Sequence, residues 1–265
     1  AARKGLDHFW RRISHIAMTS PIQPTWFDRM FGGFNLDLSP SYFAFDTMSR
    51  MMSPYHLNPA NLNPLRELLL DTVDFERLRS CTVTKLFIAA TNVRSGKVKM
   101  FETKDVSVDA LMASACLPYL FQAVEVDGEH YWDGGYMGNP AIFPLIYNCE
   151  SRDVVIVHIN PIERNEVPTN SREILNRVNE ISFNSSLMRE MRAMQFITDL
   201  IDNGQIKENG LKKMLVHSIE AQDVMCGLGV SSKMNPDWEF LTYLRDVGRD
   251  RVEQWLNGHY DNIGI

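Results

Sequence analysis

One acidic residue in this chain stands where a carboxylate can do chemistry. The stretch Val124-Glu125-Val126-Asp127-Gly128-Glu129-His130-Tyr131-Trp132 alternates, ends in Asp133-Gly134-Gly135 and runs on through Tyr136-Met137-Gly138-Asn139-Pro140. Alternation reads as strand. Two glycines directly after it permit a turn that residues with a Cβ resist. Asp133 is therefore expected at the end of a strand, on the rim of a sheet, where a carboxylate can act as a general base. No Gly-x-Ser-x-Gly, the pattern of a serine nucleophile on a strand-to-helix elbow, occurs in the 265 residues.

Other candidates are weaker on physical grounds. Ser114 is flanked by alanines near the end of a helical pattern, not at an elbow. Cys116 lies at the same helix C-terminus, where the dipole raises a thiol pKa, whereas activated cysteines favour N-termini. Gly229-Val230-Ser231 lacks the second glycine and the preceding strand. Side chains alternate along a strand, so His130 and Trp132 face one way, Tyr131 and Asp133 the other, and His130 is a poor partner for Asp133. His158 reads as a core histidine, and His56 falls in a loop. No set of His, Cys and carboxylates has ligand spacing, so neither a metal nor another cofactor is expected.

The elements that must position Asp133 follow from pattern. Leu6, Phe9, Trp10 and Ile13 share a helical face, giving a helix over 6–16. Residues 17–40, with Pro21, Pro24, Gly32, Gly33 and Pro40, read as an irregular loop, and Tyr42–Met52 as a short helix. Pro64 suits the first position of the next helix. Lys85–Val93, apolar through its middle, and Asp153–Pro161 read as strands buried on both faces. Ser95-Gly96 and Asp127-Gly128 mark hairpin turns. Ser107 is placed to cap a helix to Ala115, with Asp109 in its first turn and Leu117-Pro118 beyond its end. Ser171–Asp202 is a long helix whose Met188, Met191 and Met194 read as core filler. Leu215–Ile219 is a short strand, and Pro236–Leu256 an amphipathic helix. Strands interleaved with helices indicate an α/β layered fold.

A chain of this length suits one large domain. The hydrophobic fraction of 45% and charged fraction of 23% are those of a globular protein. A net charge of −6 with scattered basic residues excludes the stripe that a nucleic-acid binder presents. Four widely spaced cysteines, Cys81, Cys116, Cys149 and Cys226, read as reduced, mostly buried thiols of a cytosolic protein. The sequon at Asn184 lies inside a helical pattern and carries no weight. No apolar run reaches the roughly 18 residues of a membrane span.

The segments Ala113-Ser114-Ala115-Cys116-Leu117-Pro118-Tyr119-Leu120-Phe121-Gln122 and Asp127 to Pro140 resemble the second conserved block of the patatin-like phospholipases. The likeness rests on a helix ending at Leu-Pro, a Phe-Gln exit, a tight Asp-Gly hairpin and an acidic residue before two glycines. It extends more loosely through Ala89-Ala90-Thr91-Asn92 and His158-Ile159-Asn160-Pro161, and the tail from Leu215 to Trp255 looks like the extension of a bacterial branch. This resemblance implies a three-layer α/β/α fold with a mainly parallel central sheet, a single domain over 1–265 and an extension from about 205. It also implies a cytoplasmic lipid acyl hydrolase, working on phospholipids or other carboxylic esters at a lipid surface. The family uses a Ser–Asp dyad with a glycine-rich oxyanion loop. The dyad Asp carries over to Asp133, with Gly134 and Gly135 completing the motif. The Ser elbow and oxyanion loop precede, in that family, the segment resembling residues 1–16. The chain thus reads as the C-terminal part of such an enzyme, with its nucleophile on a segment not in this chain. A sheet lacking its first strand is expected to expose an edge, covered by a partner peptide or by upstream residues. The contrasting expectation, motivated by the missing elbow, is a non-catalytic binding or scaffold module with a degenerate hydrolase fold.

Overall fold

The alternation leading to Asp133 folds as both arms of a hairpin in the computed structural model, which describes residues 2–20, 22–206 and 211–265. Pro21 of the expected loop lies outside them. The chain divides into two units, Ala1–Met137 with Leu228–Leu244, and Gly138–Gly227 with Arg245–Ile265.

The first unit begins with helices α1 (Ala2–Ala17), α2 (Trp26–Phe31), α3 (Pro40–Met51), α4 (Pro54–Leu57), α5 (Pro64–Thr72) and α6 (Phe75–Arg79). Residues 17–40 are therefore not wholly irregular. Thr25 and Asp28 form a capping box that starts α2, and Ser39 caps α3 with a proline in its first turn. Strands β1 (Phe87–Asn92) and β2 (Val98–Glu102), helix α7 (Val108–Ser114) and strands β3 (Val124–Val126) and β4 (Glu129–Asp133) follow. Ser107 caps α7 by accepting from the Ala110 N–H at 3.1 Å. Asp127 and Gly128 both have positive φ, 52° and 78°, as a two-residue hairpin turn of the primed type requires. Ala90, Phe101, Ala110, Ala113 and Tyr131 form the core between this sheet and α7.

The four strands are ordered β2-β1-β4-β3 and every pair is antiparallel. The expected mainly parallel sheet is corrected here, while the mixture of helices and strands stands. The reason is the connections. Short turns at Ser95-Gly96 and Asp127-Gly128 join β1 to β2 and β3 to β4 directly and force those two pairs antiparallel; β1 and β4, linked through β2, α7 and β3, bring the two hairpins together antiparallel as well. A parallel pair needs a long crossover.

That crossover occurs in the second unit. Its elements are α8 (Phe143–Asn148), β5 (Asp153–His158), α9 (Ser171–Asp202), β6 (Leu215–Glu220) and α10 (Gln222–Met225). Helix α11 (Trp238–His259) contributes its residues from Arg245 onward. α9 carries the chain from β5 to β6, and the two strands pair in parallel. Val154 and Ile156 are buried with Ile142 and Leu187, against Met191 and Met194. Val155 and Val157 are exposed, so β5 is buried on one face and not on both. Met188 is likewise exposed, with Ile174, Val178 and Ile181, and only the later methionines fill core. Arg164 and Arg177 clamp the buried Glu180 of α9, with Arg164 Nε 2.9 Å from Oε2 and Arg177 Nη1 3.2 Å from the same atom.

Candidate functional site

Asp133 is the last residue of β4, and both of its backbone groups are tied down. Its N–H donates to the Cys116 carbonyl at 2.8 Å, just beyond α7. Its carbonyl accepts from the buried Thr91 hydroxyl of β1 at 2.8 Å. The register sets Asp133 opposite Ala90, Trp132 opposite Thr91 and Tyr131 opposite Asn92. The chain then leaves the strand through a 3₁₀ turn over Gly134–Tyr136, which Asp133 caps itself: the Gly135 N–H donates to Oδ1 at 2.7 Å. Among the described residues no hydrogen bond is made to Oδ2.

The two glycines have different duties. At Gly134 a Cβ would lie 2.1 Å from the Ala89 carbonyl oxygen and 2.5 Å from its carbon, so glycine is required by the close approach of β1. Gly135 supplies the N–H that fixes the carboxylate.

Burial pushes the Asp133 carboxyl above its ordinary value of 3.8, and the Gly135 N–H and the Lys233 ammonium pull it part of the way back. Burial likewise raises the neighbouring Tyr136 phenol, with Asp133 adding to the effect. The Cys116 thiol is pushed up to about 11, first by burial. It stays protonated and donates to the Gln122 carbonyl at 3.2 Å. A thiol in that state is no nucleophile at neutral pH.

The remaining candidates lie in ordinary structural roles. Ser114 is half-buried in the last turn of α7. Ser231 is buried and accepts from the Leu36 N–H at 3.1 Å. His130 lines a cavity of about 410 Å³ with Tyr55, Arg66, Asp109 and Glu125, and Asp133 is not among the lining residues. His56 Nδ1 lies 3.0 Å from Ser53 Oγ, and His158 Nε2 lies 3.2 Å from Asn184 Oδ1. Asn184 of the sequon is itself buried. All four cysteines are free thiols, but only Cys116 is buried; Cys81 is exposed and the others half-buried, which corrects the expectation of mostly buried thiols. Among the described residues no three His, Cys, Asp or Glu side chains gather as a metal site, and no helix is long and apolar enough to cross a membrane.

Sequence reasoning missed Lys233 and the Thr91 anchor. Lys233 lies 100 positions beyond Asp133 in an ordinary Ser-Ser-Lys-Met run, and no local pattern joins the two. Thr91 stands in the Ala89-Ala90-Thr91-Asn92 run, but only the pairing of β1 with β4 brings its hydroxyl to the Asp133 carbonyl.

Comparison with known proteins places residues 4–146 on the family model for patatin-like phospholipase, just over half of the chain. That match runs from most of α1 through most of α8 and includes the whole of the Asp133 turn. No curated protein matches the chain.

Proposed function

The chain belongs to the patatin-like phospholipase family, a family of lipid acyl hydrolases, and from that premise we propose that Asp133 is the general base of a Ser–Asp dyad acting on lipid or other carboxylic esters. The observation that carries this reading is the Asp133 carboxylate itself: backbone fixed at both ends, Oδ1 held by the Gly135 N–H, pKa raised by burial. A half-buried base with a raised pKa accepts a hydroxyl proton more readily than an exposed carboxylate does. In the proposed cycle the serine Oγ attacks the ester carbonyl and its proton passes to Asp133 Oδ2. Backbone N–H groups of a glycine-rich loop stabilise the oxyanion. The alcohol departs with the proton from Asp133, and a water activated by the same carboxylate releases the acyl group. No histidine intervenes.

The serine and the oxyanion loop are proposed to lie on a segment outside these 265 residues, since no Gly-x-Ser-x-Gly occurs within them. On this reading the chain is one patatin-like α/β/α domain with an extension from about residue 205, as in the bacterial branch, working in the cytoplasm. By the same reading these 265 residues are inactive alone. The test is fluorophosphonate labelling followed by intact mass, on the protein as purified and on its Asp133→Asn variant. Label on a longer chain or a co-purifying peptide, lost by at least about 100-fold in rate in the variant, is the expected result. Undiminished labelling in Asp133→Asn overturns the assignment.

The missing elbow also favours a second reading, a non-catalytic binding or scaffold module. Unlabelled protein whose mass equals the 265 residues, encoded by a gene that starts near Ala1, is the outcome it requires.

A further inference from the structure

Water faces an unusual amount of aromatic surface in the first unit. On α2, Trp26, Phe27 and Phe31 are 62%, 58% and 68% exposed, and their rings touch one another, Trp26 to Phe27 at 5.1 Å between centroids and Phe27 to Phe31 at 6.4 Å. Phe43 and Met51 on α3 are 68% and 80% exposed. A soluble surface seldom gathers so many large apolar groups without a partner for them.

This exposure is built into the structure. Asp28, buried beneath α2, accepts from the Thr25 N–H at 2.8 Å and the Leu38 N–H at 3.0 Å, so one carboxylate holds both ends of the segment. The helix closes at Gly32, where a Cβ would lie 2.9 Å from the Asp28 carbonyl oxygen. The rings are held outward on a fixed scaffold.

The same segment is tied to the 3₁₀ turn Val230–Met234. Leu36 donates to Ser231 and Asn235 donates to the Phe34 carbonyl at 2.9 Å, anchoring it to the turn that carries Lys233. Charge selects the partner. Arg29 is paired with Asp237 and Arg50 with Asp46, both at 2.9 Å. The surface therefore offers no excess of cations to an acidic membrane or polyanion, and the chain as a whole carries −6.

We infer that α2 and α3 form a docking surface for a zwitterionic phospholipid bilayer, seating the rings among the head groups. The inference rests on the lipid-hydrolase reading above and adds where and on what lipid charge the protein sits. Trp and Phe rings on a neutral, rigid face bind a bilayer by apolar insertion, with little salt dependence.

The experiment is flotation of the 265-residue chain with vesicles of ether-linked phosphatidylcholine, with Trp fluorescence recorded alongside. Flotation that changes less than about twofold between low and high salt is expected. Phe27→Ser combined with Phe31→Ser should weaken it about 100-fold, roughly tenfold per ring. Phe43→Ser with Met51→Ser, on the other helix, provides an independent loss should the first pair disturb folding. Three results overturn the proposal: no flotation, flotation only with phosphatidylserine that salt abolishes, or a dimer that the same variants convert to monomer. The ether lipid offers no acyl ester, so the outcome is independent of catalysis. A longer, ester-hydrolysing form of the protein that also fails to float refutes the docking surface alone.

Discussion

Burial gives Asp133 its chemical character, and two fixed groups moderate it. The Gly135 N–H and the Lys233 ammonium favour the ionised form; the surrounding protein disfavours it more strongly. The fold therefore favours the protonated carboxyl, and the sign of the linkage follows. A pKa raised on folding contributes stability that is complete below 3.8 and is lost as pH rises through the raised value. Titration of the Asp133 side-chain carbon by NMR should give a midpoint above 3.8 in this chain. Lys233→Met should move it further up, because the ammonium that opposes burial is gone; a midpoint that falls in that variant refutes the coupling. In the active protein the acid limb of ester hydrolysis should follow in the same direction. Asp133 itself was legible because strand alternation and paired glycines are local patterns. Lys233 was not, because an exposed lysine acquires meaning only through what the fold brings opposite it. Cys116 was half legible: its helix C-terminal position indicated a raised pKa, whereas the first cause is burial.

At the scale of the element, the site depends on how closely β4 meets β1. Gly134 is the contact that permits this approach. Gly134→Ala would drive a methyl into the Ala89 carbonyl, and that neighbour is backbone within a paired strand and cannot swing aside. Destabilisation of about 3 kcal/mol is expected, at the upper end of overpacking effects, read as a drop in urea midpoint. Gly135 holds Asp133 Oδ1 through its backbone. It is used for its N–H, which any residue but proline supplies. The hairpin turns, the Ser107 cap, Pro64 at the head of α5 and the span Ser171–Asp202 were all readable, since turns, caps and helical periodicity are written in neighbouring residues. Strand direction was not. It depends on the connection, and two short turns outweighed the family expectation of a parallel sheet. α2 also escaped notice, because six residues are too few to show a helical period and its start rests on the pairing of Thr25 with Asp28.

At the scale of the whole molecule, the apolar surface left in water becomes the governing fact. Besides the aromatic face of the first unit, the second unit presents one side of β5, with Val157 68% exposed and Ile159 just beyond it 64% exposed. Among the described residues β5 and β6 pair only with each other, so each strand has one edge without a strand partner. An open edge beside an exposed β-branched face is a template for association. The isolated chain should self-associate with rising concentration, as static light scattering would register. Val157→Lys should suppress this by placing a charge on the open strand, and should change stability by no more than about 0.5 kcal/mol because the site is on the surface. Association that persists in Val157→Lys but disappears in the Phe27→Ser, Phe31→Ser pair would shift the contact from the sheet to the aromatic face. Association that ignores both would remove β5 and α2 together as its cause.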